Sequence, residues 1–561
     1  MSKSLPFAFL ALWLSLMPLA HGQQASRKLD EYIAKTMEDW QVPGLAIAVV
    51  QDGKTVFAQG YGVRESGKPD RVDTDTLFQI ASTTKAMTAA TLGMLVDEGK
   101  LTWDDPVVQH LTSFQLHDPY ATRELRIRDL LTHRGGLPNT DFLWYPVARS
   151  REEISTLLQH VRPSYSLRSD FVYQNVMYMM AGEVVEAVSG QSWSAFTRQR
   201  LLEPLAMQRT CMGTVEARER GNVAVDHRLV HGELRVLTRR YEAADEPLGP
   251  AGALWSSVDD MTNWIRMLLN DGRFEDQRLL SREAVAEMFR PQTLLAKPPY
   301  PTYKLLQPHW SSYGLGWFQF DYQGRAVNFH TGSFEGMAAI VGIIPDEKLG
   351  VVILSNLDHA ELRHALMLTV FDIYGGHTDG PDWSADFRRL YDELETERKI
   401  KVAEQAATRL TGTQPSRPLD AYVATYTNRL QGDITITLAG DALHLAWGEY
   451  CLAELEHWHY DTFAFEWPED DMRVLVSFSL DPNGVPHRLS IDGESTWRRI
   501  DPHAEPGSPA ASTVVASSDP QPSPAIPVAG ESENSPPAVL ERLQPLVPPI
   551  LRGVLPRGRN E

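Results

Sequence analysis

Ser82-Thr83-Thr84-Lys85 sets a hydroxyl and an amine three residues apart at the start of an apolar, helix-forming stretch. Residues at that spacing share one helix face, so the amine is within reach of the hydroxyl. Serine is a poor nucleophile unless a neighbouring base takes its proton. A helix N-terminus adds aligned N–H groups and a positive dipole end, which suit a developing oxyanion. Such a string recurs by chance, and read blandly it is a capped, solvated helix start. Farther along, Tyr173-Gln174-Asn175 brings a phenol and an amide just ahead of another helical stretch. A phenol beside an ammonium has its pKa drawn down and can relay a proton. Asn175 can offer its amide to Lys85 or to a substrate carbonyl; the plain alternative is a helix cap, with Tyr173 in the core. His330-Thr331-Gly332 then follows a strand and runs into Ser333. An edge strand there would present backbone groups to an extended substrate, with Gly332 permitting close approach. The N–H of Ser333 could supply a second oxyanion donor. An ordinary turn before Gly336 is the plain alternative.

The elements that must position these residues are legible in the hydrophobic rhythm. Leu29, Ile33, Met37 and Trp40 recur at helical spacing before Val42-Pro43-Gly44 stops them. Leu45 to Val50 and Thr55 to Ala58 read as a hairpin about an Asp-Gly turn. Thr84 to Gly99 is helical and ends at a glycine cap. Further helices are expected over Ile127 to Thr132, Glu152 to His160, Met177 to Val188 and Asp259 to Leu269. Strand rhythm returns with Val327 to Phe329, Met337 to Ile344 and Gly350 to Leu354. Strands at both ends with helices between them predict an α+β fold: an antiparallel sheet closed by the two termini, flanked by helices and carrying a helical insert.

Trp383 to Leu410 is charged and helical and reads as a connector. Leu419 to about Arg499 alternates in short strands, predicting a small all-β sandwich or barrel. The expected boundaries are a signal peptide over 1–22, a catalytic unit over 23–378, a helical linker over 379–416, a β-domain over 417–501 and a tail over 502–561. About a third of the 37 prolines fall in that tail, the composition of a disordered segment. At the other end, Lys3, the apolar run Leu5 to Leu19 and Ala20-His21-Gly22 have the pattern of a cleaved export signal. The expected location is therefore periplasmic or secreted, with no membrane span after cleavage.

Composition narrows the partners. A net charge of −20 with no strong basic patch argues against nucleic acid. Two cysteines, Cys211 and Cys451, fall in different expected domains, so a disulfide framework does not organise the chain. His457 and His459 lack an evident third ligand, and no metal site is expected.

Taken in order, S-x-x-K, Y-x-N and H-T-G resemble the penicillin-recognising serine hydrolases: class C β-lactamases, D-alanyl-D-alanine carboxypeptidases, D-aminopeptidases and related esterases. Gly44 to Val49, Leu130-Leu131-Thr132-His133 with Gly135-Gly136-Leu137, Glu203-Pro204-Leu205 and Tyr313 to Trp317 look like the same family, so the resemblance runs from about Leu29 to Tyr374. The β-rich segment, with Glu456 to Phe463, looks like an accessory domain behind some of these enzymes. The resemblance implies an acyl-enzyme at Ser82, formed with Lys85 and Tyr173, with Asn175, His330, Thr331, Gly332 and Ser333 holding substrate or oxyanion. It implies a small-molecule or peptide substrate and no cofactor. His330 departs from the lysine that many β-lactamases and carboxypeptidases carry, and a histidine is mostly neutral at pH 7. Weak selection for a free carboxylate follows, favouring an aminopeptidase, amidase or esterase over a true β-lactamase or carboxypeptidase. A catalytically silent binding protein is the remaining alternative.

Overall fold

Alternate residues of the first strand enter two different cores. In the computed structural model, β1 (Gly44–Gln51) sends Ala46, Ala48 and Val50 to one side and Leu45, Ile47 and Val49 to the other. Side chains alternate across a strand, so a continuous apolar run is buried on both faces. The structure describes residues 25–237, 245–376, 380–449, 451–467, 472–493 and 495–500. The expected signal peptide and proline-rich tail lie outside them.

Eight strands form the main sheet: β1, β2 (Lys54–Gly62), β3 (Thr293–Leu294), β4 (Ser311–Tyr313), β5 (Phe318–Tyr322), β6 (Arg325–Phe334), β7 (Met337–Ile344) and β8 (Leu349–Ser355). Their order is β3-β4-β5-β6-β7-β8-β1-β2, antiparallel throughout, so the N-terminal hairpin closes on the last strand. One face is covered by α1 (residues 25–39) and α5 (Leu362–Tyr374). The other face packs on α2 (Thr84–Asp97), α4 (Val258–Leu269) and the helical insert that contains α3 (Asn175–Ser189). The α+β class read from the sequence is the class observed.

α2 is apolar almost all round, and residues Thr84 to Leu95 are buried, as a helix enclosed on every side must be. Lys100 N donates to Leu95 O and Gly99 N to Val96 O, the paired bonds that close a helix at a glycine.

The expected connector helix is α6 (Trp383–Ala407), but its first half belongs to the catalytic unit. Trp383 and Phe387 join the core beneath α5, and Trp383 Nε1 donates to Asp372 Oδ2 at 2.9 Å. Charge on the exposed face masked this in the sequence. Beyond α6, eight strands close into an antiparallel barrel: β9 (Ala424–Asn428), β10 (Gly432–Ala439), β11 (Ala442–Trp447), β12 (Cys451–His459), β13 (Thr462–Glu466), β14 (Arg473–Leu480), β15 (Pro486–Ile491) and β16 (Ser495–Arg499). Closure is made by β9 on β16, which removes both sheet edges and decides between sandwich and barrel. Aromatic and aliphatic side chains fill the interior, among them Tyr426, Trp447, Phe463 and Trp497.

Candidate active site

Ser82 lies in a single 3-10 turn, Ala81–Thr83, that leads directly into α2. Ala81 has a φ of 43°, a left-handed conformation that a non-glycine residue holds only when its surroundings impose it. The imposing contacts are visible: Ile80 N donates to Leu254 O, and Thr83 Oγ1 and N both donate to Ile80 O. The turn therefore presents Ser82 at a fixed point above the sheet, partly exposed, with buried residues on either side.

One turn on, Lys85 is fully buried. Its Nζ lies 2.9 Å from Ser82 Oγ, 2.7 Å from Asn175 Oδ1 and 2.7 Å from Ala251 O. Burial pushes its pKa well below the usual lysine value, against the attraction of Asp141. Nζ also lies 5.0 Å from the centroid of the Tyr173 ring. The Tyr173 phenol is pushed well above its ordinary pKa by burial, and a hydrogen bond with Ser82 only partly opposes this. That reverses the sequence expectation. Desolvation of the buried phenol is the larger influence.

Tyr173 and Asn175 bracket the start of α3, as Ser82 and Lys85 bracket that of α2. Gln174 between them is buried and anchors the segment, its Nε2 donating to Leu137 O at 3.0 Å and its N to His133 Nδ1 at 2.9 Å. The His133 ring lies 4.2 Å from the Tyr173 ring, and burial keeps its pKa well below the ordinary histidine value. Asn175 Nδ2 donates to Asp141 Oδ1 at 2.9 Å, an acid in the loop after Leu137-Pro138. Asp141 is 2% exposed, and burial raises its carboxyl pKa against donors from Asn175, Trp144 and Asn139.

The His330 to Phe334 segment is not in an edge strand, since β6 has β5 on one side and β7 on the other. Pairing with β5 nevertheless ends at Phe318↔Phe329, while pairing with β7 continues to Phe334↔Met337. From His330 onward, one side of the strand has run past its neighbour and faces the Ser82 turn. The approach is close: a Cβ on Gly332 would lie 2.2 Å from Ile80 O, so only glycine fits. Thr331 Oγ1 is 2.7 Å from Tyr300 Oη. Ser333 Oγ accepts from Arg363 Nη1 at 2.6 Å.

His330 packs among aromatic rings, its own ring 6.3 Å from that of Tyr173. It is 1% exposed, its Nδ1 donates to Thr331 O at 2.6 Å, and Tyr313 Oη donates to its Nε2 at 2.9 Å. Burial, with Lys85 nearby, lowers its pKa to about 3. The ring is neutral, as expected from its ordinary pKa, but the operative reason is burial among aromatic rings.

Lys85, Tyr173, Asn175 and the end of β6 thus converge around Ser82 from separate elements. Sequence reading missed Asp141, Ala251 O and Arg363. Asp141 had one signal, an acid directly ahead of the apolar Phe142-Leu143-Trp144. A backbone carbonyl such as that of Ala251 has none. Arg363 is 3% exposed and is held by Gly332 O, Ser333 Oγ and Glu361. His457 and His459 lie at a barrel turn, where His457 Nε2 donates to Tyr460 O and His459 Nδ1 accepts from Leu410 N.

The beta-lactamase family model matches residues 29–370, more than half of the chain. This chain belongs to the beta-lactamase family. A domain of unknown function, DUF3471, matches residues 408–505, which contain the barrel. Among curated relatives, unguisins hydrolase ungD of Aspergillus violaceofuscus is 27% identical over 518 residues, covering 84% of this chain and 89% of its own. Protein flp of Staphylococcus aureus is 22% identical over 341 residues, 60% of this chain and 64% of its own. Among solved structures, the octameric penicillin-binding protein homologue from Pyrococcus abyssi aligns with a TM-score of 0.56 at 22% identity, over 84% of this chain and 98% of that one. SurE with D-Leu aligns with a TM-score of 0.50 at 20% identity, over 86% and 100%. These two likenesses establish the fold, barrel included.

Proposed function

We propose that this protein is an exported serine hydrolase that forms an acyl-enzyme at Ser82 and cleaves amide, peptide or ester bonds. One observation carries the reading. Two of the three neighbours of Lys85 Nζ, Asn175 Oδ1 and Ala251 O, are carbonyl oxygens that can only accept. A neutral amine has two N–H bonds and one lone pair. With Lys85 unprotonated, the carbonyls take both N–H bonds and the lone pair is left for the Ser82 hydroxyl at 2.9 Å. Lys85 is then the base that receives the Ser82 proton as Oγ bonds to the substrate carbonyl carbon.

Tyr173 keeps its proton at neutral pH and serves as the donor to the departing nitrogen or oxygen as the scissile bond breaks. Lys85 returns its proton through Tyr173, and water then releases the acyl group. The N–H groups of Ser82 and Ser333 hold the oxyanion. This assignment uses no metal or cofactor.

Substrates lacking a free carboxylate fit best. His330 is held neutral with both ring nitrogens engaged, by Thr331 O and Tyr313 Oη, and the buried guanidinium of Arg363 is partnered by Glu361, whose carboxyl it helps to hold down at about 2. The hydrolase among the relatives and the SurE structure solved with D-Leu support an amino-acid-derived substrate of D-aminopeptidase or amidase type. Export rests on the apolar run Leu5 to Leu19 ahead of Ala20-His21-Gly22.

Incubation with a fluorophosphonate, read by peptide mass spectrometry, should add mass at Ser82. Purified protein should turn over neutral p-nitrophenyl esters and D-amino-acid amides faster than a carboxylate-bearing cephalosporin. No adduct at Ser82 would overturn the hydrolase reading, and a preference for the cephalosporin would make it a β-lactamase.

A further inference from the structure

The barrel stands on the loop that carries Asp141. Tyr145 packs its ring 6.1 Å from that of Trp467. Gly448 comes so close to the same loop that a Cβ there would lie 2.4 Å from Pro146 O. Arg149 clasps the two units together, its Nη1 donating to Leu143 O within the loop and to Leu430 O of the barrel, each at 2.9 Å. At the loop's other end, Trp144 Nε1 and Asn175 Nδ2 both donate to Asp141 Oδ1, at 3.0 and 2.9 Å.

The last contact has a directional consequence. The Asn175 amide presents an oxygen on one side and an NH2 group on the other. A carboxylate oxygen only accepts, so Asp141 must face the NH2 group, and the amide oxygen must face Lys85. A flipped amide would place N–H against Nζ and take up the lone pair meant for Ser82.

We infer that Asp141 is a positioning residue for the catalytic lysine, and that the barrel acts on the reaction by holding the Asp141 loop in place. The inference rests on the reading of Lys85 as the base. The path is continuous: barrel, Arg149 clasp, Asp141, Asn175, Lys85. It gives the barrel a catalytic duty separate from any role in shaping a substrate pocket.

The full-length chain tests it with two readouts. In the first, fluorophosphonate labelling of Ser82 is timed across pH for wild type, D141A, D141N, R149M and the D141A/R149M double variant. D141A should slow labelling about tenfold or more and shift the acidic limb of the pH profile, with D141N, which keeps an acceptor oxygen, recovering much of the rate. R149M should slow it less, and the double variant should match D141A alone, because both changes cut one path. In the second, hydrogen–deuterium exchange should rise in R149M over residues 139–149 and also over 173–178. D141A labelling at the wild-type rate, full multiplication of the two single effects, or exchange rising in 139–149 alone would each overturn the inference. Should D141A fail to fold, the R149M exchange pattern still decides. Should the wild type not label at all, the hydrolase reading falls, and exchange alone still tests whether the barrel holds the 173–178 segment.

Discussion

The two units fill their interiors with different chemistry. The larger unit buries Lys85, His133, Asp141, His330, Glu361 and Arg363. Among the described residues of the barrel, Gln431 and Ser495 are the buried polar side chains, and Gln431 Nε2 donates to Ser495 Oγ at 2.8 Å. Burying ionisable groups is costly unless each is paired, and well-packed apolar replacements are often neutral or stabilising. The barrel interior, by contrast, has the composition expected of a unit whose value lies in rigidity, and its close seat on the Tyr145 to Arg149 loop is where that rigidity is applied.

The sharpest way to break this contrast is to replace a buried ionisable group with an apolar side chain of similar length. Lys85→Met should abolish turnover, by about a thousandfold or more, while melting temperature stays level or rises. A fall in melting temperature of several degrees would mean that Lys85 supports the fold. In the barrel the opposite pattern is expected: Trp497→Ala should cost about 3–5 kcal/mol in a denaturant titration. Gly332→Ala places a methyl against Ile80 O and should cost about 1–3 kcal/mol by overpacking, with a larger loss in turnover than in stability.

Acid should discriminate the two units more gently. The folded pKa of His330 is lowered to about 3, so between there and its ordinary value of about 6.5 the unfolded chain binds more protons. Stability from this group is complete above that ordinary value and is lost as pH falls toward 3. At pH 5 the loss is about 2 kcal/mol relative to pH 7. His330→Gln should flatten that part of the slope, read as the change in urea midpoint between pH 7 and pH 5; an equal slope in both proteins would show that His330 is not held neutral. The smallest effect is expected at an exposed barrel side chain: Leu452→Ala should stay within about 0.5 kcal/mol and leave turnover unchanged.

Most of the sheet was legible because strand alternation and turn residues are local signals. Met337–Ile344 is read to the residue, and the Leu45 to Val50 strand differs by one residue at each end. The boundary between units was less legible. The first half of α6 buries Trp383 and Phe387 beneath a charged exposed face, and charge content is read before burial can be. The barrel's closure was unreadable for a related reason, since alternation is the same in a sandwich and a barrel and only the pairing of β9 with β16 separates them.

For the site, the amino-acid sequence by itself determined the candidate groups: a serine one turn ahead of a lysine, a tyrosine two residues ahead of an asparagine, and a glycine where a strand meets the serine. Helical spacing is local, so the Ser82–Lys85 distance was implicit in the chain. The tertiary structure alone decided their protonation and aim. Burial, which depends on what packs around α2 and α3, lowers the pKa of Lys85, raises that of Tyr173 and lowers that of His330. It also brings in Ala251 O, Asp141 and the barrel behind it, partners separated from Lys85 by tens to hundreds of residues. The electrostatics of a buried group depend on every neighbour, and no local pattern records who those neighbours will be.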